Sequence, residues 1–318
     1  MGERRPDVIV LGAGVMGLTM GVCLAESGLQ VQIRTRAAPS ATTSAVAAAM
    51  IGPSFAPADD PVGIRERVGI EQFTALADVE NTGVALRRGR LVSRQAGPLP
   101  PGVELCAAAE LPTGFAACFW AIPPLVDMPV YLDDLVRRLA VAGGQIELAE
   151  VESLSELAGQ APLLANCAGL GARDLVPDPS VRPVRGQQVT VDNPGLEEFF
   201  IEAPFSPVWT AYWPYPDHVV LGGTLVEDDE NLEPTPALAE EILRRCIEVE
   251  PRLRHAQVRG HQVGLRPGRP SVRLEAEQVG DARCVHNYGH GGSGVTLSWG
   301  CAREAAALLT DQGRNDLR

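Results

Sequence analysis

Four glycines, Gly289, Gly291, Gly292 and Gly294, crowd one stretch of this chain, His286–Gly300, which reads HNYGHGGSGVTLSWG. An apolar strand tail, Cys284–Val285, precedes them, and an apolar-striped helix over Val295–Leu309 follows. Glycine that dense lets backbone N–H groups approach a ligand closely, and a helix start adds positive partial charge. An anion or an electron-rich ring over that terminus is one reading. A flexible turn before a C-terminal helix is the other.

A second glycine cluster lies at the opposite end of the chain. Gly12-Ala13-Gly14-Val15-Met16-Gly17 is a GxGxxG between an apolar strand, Asp7–Leu11, and a helix, Leu18–Ser27, that Gly28 closes. Leu29–Arg34 then alternates as a second strand. Strand, glycine turn, helix and strand within about 30 residues form the context in which this fingerprint takes a dinucleotide pyrophosphate. A βαβ unit without nucleotide is the alternative. A ribose-binding acid is expected at the end of the second strand, but Arg34-Thr35-Arg36 stands there. Two arginines suggest a 2′-phosphate and hence NADP, while FAD with a degenerate ribose contact competes. The local sequence does not choose. In Ser40–Met50, SATTSAVAAAM, small residues allow close approach to a cofactor, with Thr42, Thr43 and Ser44 as candidate phosphate ligands. A helix with a Ser/Thr cap is the competing reading.

These groups need elements to hold them. Leu163–Ala168 reads as a buried strand delivered into Gly169-Leu170-Gly171, and cofactors lie at such strand ends in open α/β sheets. Tyr131–Ala142 is an amphipathic helix ended by Gly143-Gly144, and Ile146–Val151 a strand. Gly63–Glu80 reads as two helical stretches or loops. Arg90–Ser93 and Ala117–Trp120 read as strands in a region broken by Pro98, Pro100, Pro101, Pro112, Pro123 and Pro124. Such interruptions argue for a separate mixed module rather than continued βαβ winding. Arg182–Asp192, with Arg185-Gly186-Gln187 before Gln188–Val191, leads to an antiparallel pair at Val208–Trp213 and Val219–Gly222. A helix over Glu233–Val249 and a strand over Val258–Arg266, running into Pro267-Gly268-Arg269-Pro270, complete the order.

Composition removes several classes. The chain has 318 residues and a net charge of −13, a poor match to nucleic acid or an anionic membrane surface. All 27 basic residues are arginine, so a lysine Schiff base is excluded. The 7 cysteines, at 23, 106, 118, 167, 246, 284 and 301, form no CxxC pair and are odd in number. They read as reduced, mostly buried residues rather than a disulfide framework or a metal site. No apolar run approaches the roughly 20 residues of a membrane span.

With VIVLGAGVMGL, NCAGLGAR, RGQ, VGLRPGRPSVRLE and HNYGHGGSGVTLSWGCA present in that order, the chain resembles the D-amino acid oxidase family over nearly its full length. The resemblance implies an α/β fold, a Rossmann-like FAD-binding domain interleaved with a substrate domain on a mixed, mostly antiparallel sheet. It places the FAD-binding part at 1–50, 145–180 and 258–318, the substrate part at 51–144 and 181–257, and chooses FAD over NADP. Arg266, in GLRP, corresponds to the arginine that grips the substrate carboxylate, a task suited to a planar guanidinium fork. Tyr212 is the implied tyrosine assisting it, with Trp209 and Tyr215 as competitors; Tyr212 and Arg266 are the catalytic candidates, and Trp209 and Gly292 join them in binding substrate. Arg273, Gly291, Gly292 and Thr296 correspond to groups at the pyrimidine side of the flavin. The wider cofactor set comprises residues 12–17, Arg34, Thr35, Arg36, Thr42, Thr43, Ser44, Ala48, Ala49, Met50, Val151, Ala168, Gly169, His290, Ser293, Gly294 and Val295. His286 and His290 read as structural.

The activity implied is oxidative deamination: a D-amino acid passes hydride to the flavin, water hydrolyses the imino acid to a 2-oxo acid and ammonia, and dioxygen becomes hydrogen peroxide. Glu202–Asp217 holds no Arg for a side-chain carboxylate, so neutral or apolar side chains are expected, with Trp209, Tyr212 and Trp213 lining the pocket. Glu202–Ala211, where relatives carry a lid, is short. Glycine oxidase, D-aspartate oxidase or another FAD amine oxidase is the nearest alternative; an NADP-dependent reductase or a non-catalytic flavin protein are the remoter ones. The family often forms dimers. The ending Asn315-Asp316-Leu317-Arg318 lacks an SKL-type signal, which gives a cytoplasmic expectation.

Overall fold

Continuous apolar runs become the centre of a parallel sheet, because a strand with neighbours on both sides and helices on both faces meets little water. The computed structural model describes residues 5–54, 56–57, 59–97, 102–203 and 207–310. Pro98, Pro100 and Pro101, residues 204–206 of the short lid segment, and the Asn315–Arg318 ending lie outside those residues.

Val8–Leu11 (β1) is buried throughout. It pairs in parallel with β2 (Val31–Thr35) and β10 (Leu163–Asn166). β9 (Gln145–Leu148) extends the sheet beyond β2, and β18 (Ala282–Tyr288) beyond β10. β17 (Arg273–Val279) closes the far edge antiparallel. One face is covered by α1 (Val15–Glu26), α3 (Met128–Val141) and α7 (Gly294–Thr310) around a single apolar cluster. Leu154, Leu157 of the one-turn α4 (Ser155–Ala158) and Cys284 pack on the other. A second single turn, α5 (Ala172–Leu175), follows the glycines after β10.

The second sheet has nine strands and is mostly antiparallel. Its long seam joins β11 (Arg182–Asp192) to β16 (Val258–Gly268), with Val184 opposite Arg266 and Gly186 opposite Gly264. β14 (His218–Thr224) and then β15 (Val226–Glu227) follow on the other side of β11, and β13 (Val208–Pro214) lies beyond β14. β12 (Phe199–Glu202), β5 (Gly89–Ser93), β7 (Ala117–Ala121) and β6 (Glu104–Leu105) complete the order. Helix α6 (Pro236–Val249) packs on the face carrying Val189, Val191, Tyr212 and Leu221. The opposite face carries Trp209, Ala211, Trp213 and Val220. A three-stranded sheet of β3 (Ala48–Met50), β8 (Pro124–Asp127) and β4 (Val84–Leu86) bridges the two large ones.

The α/β class and the two-sheet plan are as expected, but several elements differ. β16, in the 258–318 segment that the resemblance gives to the cofactor part, pairs with β11 of the mixed sheet. α3 packs on α1, and α2 (Pro61–Leu76) on α7, on the helix-covered face of the parallel sheet. Gly63–Glu80 is not two stretches: α2 is one helix, begun by Pro61 and capped by Asp60, whose carboxylate accepts the Val62 and Gly63 N–H groups. Ser40–Met50 forms two short turns and β3 rather than a capped helix. The cysteine expectation is also corrected, since Cys106, which follows β6, and Cys118 in the neighbouring β7, with Cα atoms 5.4 Å apart, form a disulfide. Among the described residues no helix is long and apolar enough to cross a membrane.

Close backbone approach fixes α2 against α7. A Cβ at Gly69 would lie 1.9 Å from the Thr296 carbonyl oxygen, and one at Gly300 would lie 2.4 Å from the Arg65 carbonyl oxygen. Gly69→Val therefore forces the helices apart at the start of α7. It is expected to cost about 3 kcal/mol or more of stability, read as a lowered urea midpoint against wild type.

Candidate functional site

The first glycine turn is built so that backbone can crowd backbone. Gly12 has φ +93°, and a Cβ there would sit 2.7 Å from the Cys167 carbonyl oxygen at the end of β10. A Cβ at Gly17 would sit 1.9 Å from the Gly12 carbonyl oxygen. Helix α1 starts at Val15 with Gly14 as its N-cap and no acidic residue in its first turn. Its positive end is thus not neutralised by its own sequence, as an anion site requires. Ser44 joins it: its hydroxyl accepts the Val15 N–H at 3.0 Å.

The other hydroxyls predicted as phosphate ligands are spent elsewhere. Thr42 donates to the Pro39 carbonyl at 2.7 Å, and Thr43 to that of Leu265 at 3.2 Å, stitching this segment to β16 one residue before Arg266. Thr35 donates to Ala37 at 2.8 Å. Arg34 is paired with Glu147 of β9 at 3.1 Å, so Arg36, exposed and outside any ion pair among the described residues, is the one of the two left to meet a ligand. Ala48 and Met50 pack beside the tryptophan cluster while Ala49 joins the helix-side core, and Val151 packs on the opposite face of the parallel sheet. Asn166 accepts the Ala168 N–H at 3.2 Å, which shapes the turn at Gly169, φ +58°.

The second glycine loop meets Arg266. A Cβ at Gly292 would lie 3.7 Å from Arg266 Cδ, so the loop and the arginine are in contact. The guanidinium lies over Gly186, where a Cβ would come within 2.3 Å of Nη1. The motif RGQ thus needs its central glycine as a floor for a side chain on the neighbouring strand, a role the sequence reading left unassigned. Arg266 Nη1 donates to the Thr224 carbonyl at 3.3 Å, and among the described residues no carboxylate pairs with it. Burial alone lowers its pKa. A partly desolvated cation held by a neutral carbonyl keeps its charge and remaining donors available to an anion. Gly291, Gly292 and Ser293 form one tight turn, and Gly294, Val295 and Thr296 open α7.

Two predicted groups are placed away from this site. Tyr212 points to the α6 side of the sheet, opposite to Arg266, where its ring stacks on Phe200 at 5.6 Å and burial pushes its hydroxyl up to about 12. Side chains alternate along a strand, so it is Trp213 that shares the Arg266 side, with Ala211. The Trp209 and Trp213 rings lie edge to face at 5.6 Å and cover Gly223 and Gly222. Trp213 Nε1 is buried and lacks an acceptor among the described residues. Tyr215 spends its hydroxyl on the Val126 carbonyl at 3.0 Å. Arg273 is the second correction. It lies on the sheet face turned away from α7 and is engaged by Tyr288, Glu275 and Glu277 at 2.8, 2.6 and 3.3 Å. Its charge is already neutralised there.

His290 opens the glycine loop and is 6% exposed, with Nε2 lacking a partner among the described residues. Burial, then the nearby Arg65 charge, lower its pKa from 6.5 to about 3. The folded chain therefore keeps His290 neutral where the unfolded chain protonates it. Its contribution to stability is complete above pH 6.5 and is lost as pH falls from 6.5 towards 3. Urea unfolding from pH 7.5 to 4 should show that decline, and His290→Asn should flatten it; an unchanged slope in the variant would remove His290 as a cause.

A family model described as FAD dependent oxidoreductase (DAO) matches residues 7–308. A D-amino-acid oxidase from Rubrobacter xylanophilus is 47% identical over 308 residues, 94% of each chain. Another, from Streptomyces coelicolor, is 43% identical over 322 residues, covering 97% of this chain and 98% of its own. A Homo sapiens D-aspartate oxidase is 35% identical over 326 residues, 96% of this chain and 94% of its own. The structure of glycine oxidase from Geobacillus kaustophilus is similar in fold, with a TM-score of 0.83 at 19% identity over 98% of this chain and 96% of that one. The chain belongs to the FAD dependent oxidoreductase (DAO) family, and its cofactor is FAD.

Proposed function

We propose that the chain is a D-amino acid oxidase acting on neutral or apolar side chains. The observation that carries this reading is Arg266: partly buried, without an acid partner among the described residues, in contact with the Gly292 loop and on the same side of the sheet as the tryptophan pair. The relatives named D-amino-acid oxidase, at 43–47% identity over nearly the whole chain, support it.

The residues present fit FAD. Gly12, Gly14 and Gly17, the start of α1 and Ser44 would hold the pyrophosphate, Arg36 is free to meet the adenosine half, and the loop at Gly291, Gly292 and Ser293 would cover the ring beside Arg266. Bound FAD supplies the two-electron acceptor. Arg266 binds the substrate carboxylate through its remaining donors and fixes which hydrogen on Cα faces the acceptor. Trp209 and Trp213, 7% and 3% exposed, exclude water and offer apolar surface to the side chain. Their face of the sheet is continued by the apolar side chains of Leu91, Phe199, Ile201 and Val220. Orientation, rather than a protein base at Cα, is the contribution of this chain.

A panel of D-amino acids with peroxide detection tests the reading. D-methionine and D-valine are expected to exceed D-aspartate in kcat/KM by at least about tenfold, since an unpaired carboxylate on that apolar wall is costly. Faster turnover of D-aspartate or of glycine would replace this reading with the corresponding oxidase.

A further inference from the structure

β11 meets two strands in succession along one side. The β14 ladder ends at Val189 opposite Leu221, and the β15 ladder begins at Arg185 opposite Val226. Between those pairs, β11 supplies residues 186–188 and the facing chain supplies 222–225, one residue more. The surplus is a bulge, a device that turns backbone groups out of a ladder beside functional sites.

At this bulge the Gln187 N–H, which a regular ladder would give to a carbonyl, donates to Thr224 Oγ1 at 2.8 Å. The Thr224 carbonyl is thereby left to accept from Arg266 Nη1. The chain leaving the bulge is tied down from the same motif. Gln187 donates to the Thr235 carbonyl at 2.9 Å and accepts its N–H at 2.8 Å, and Arg185 donates to the carbonyls of Asn231 and Glu233 at 2.6 and 2.7 Å. Arg185, Gln187 and Thr224 are 2%, 0% and 1% exposed, so water does not compete for these bonds.

We propose that Thr224 is a positioning residue for the substrate carboxylate. Its hydroxyl stands in for the missing ladder acceptor, which turns its carbonyl towards Arg266 and fixes the guanidinium over Gly186. The choice of acceptor matters chemically. An acid here would orient Arg266 equally well but cancel its charge, whereas a carbonyl takes one N–H and leaves the cation and its other donors for a carboxylate. This rests on the reading of Arg266 as the carboxylate site.

The test compares FAD-loaded Thr224→Ser and Thr224→Ala, which both lose the methyl group and differ only in the hydroxyl, with Arg266→Ala as reference. Thr224→Ser is expected to stay within about twofold of wild type for D-methionine. Thr224→Ala should raise KM roughly tenfold with kcat changed less than about threefold, at equal FAD content and Tm, the signature of lost uniform binding. Equal KM in the two Thr224 variants would overturn the proposal. So would loss of folding or FAD in Thr224→Ala alone, which would make the hydroxyl a fold element. An Arg266→Ala enzyme with unchanged KM would instead overturn the reading of Arg266 itself.

Discussion

A partly buried positive charge without a carboxylate partner among the described residues is the constraint around which this structure is arranged. Removing an arginine from water is costly, and the usual remedy is a carboxylate nearby. The chain uses that remedy repeatedly, at Arg34–Glu147, Arg65–Glu304 and Arg269–Asp178, each within 3.1 Å. At Arg266 the partner among the described residues is a carbonyl. On the proposed function, the energy withheld there would be available to a ligand that brings its own carboxylate.

Holding such a charge in place requires both halves of the molecule. β16 carries Arg266 on the mixed sheet, while the glycine loop that touches it leads from β18 of the parallel sheet into α7. Thr43 ties the segment after β2 to the Leu265 carbonyl, and β3 and β8 bridge the two sheets. The chain crosses between the sheets several times, so neither half can shift without moving the arginine relative to the loop. Interleaving thus serves precision: cofactor turn, loop and substrate group are fixed by one packed unit.

Much of this was legible in the sequence, for local reasons. β1, the glycine turn and α1 follow from contiguous residues whose burial and backbone needs do not depend on distant partners. The same holds for the glycine loop before α7. What was missed depends on pairing. Tyr212 reads as an active-site tyrosine until the register of β13 puts its ring on the α6 side and Trp213, its neighbour, on the Arg266 side. Arg34 suggests a phosphate contact until Glu147, remote in sequence and next door in the sheet, claims it. Gly186 and Thr224 look unremarkable until two ladders disagree by one residue along β11. The Cys106–Cys118 bridge likewise follows from two strands meeting, not from spacing. Resemblance identified the motifs, and geometry decided which side chain within each one reaches the site.

The most direct measurement of the central claim is anaerobic reduction of the bound FAD by D-methionine and by D-methioninamide, which differ in the carboxylate. Wild type should favour the acid on the order of 100-fold in second-order rate, and Arg266→Ala should lose nearly all of that preference while retaining FAD. An Arg266→Ala enzyme that still prefers the acid by the wild-type margin would show that the carboxylate is read elsewhere.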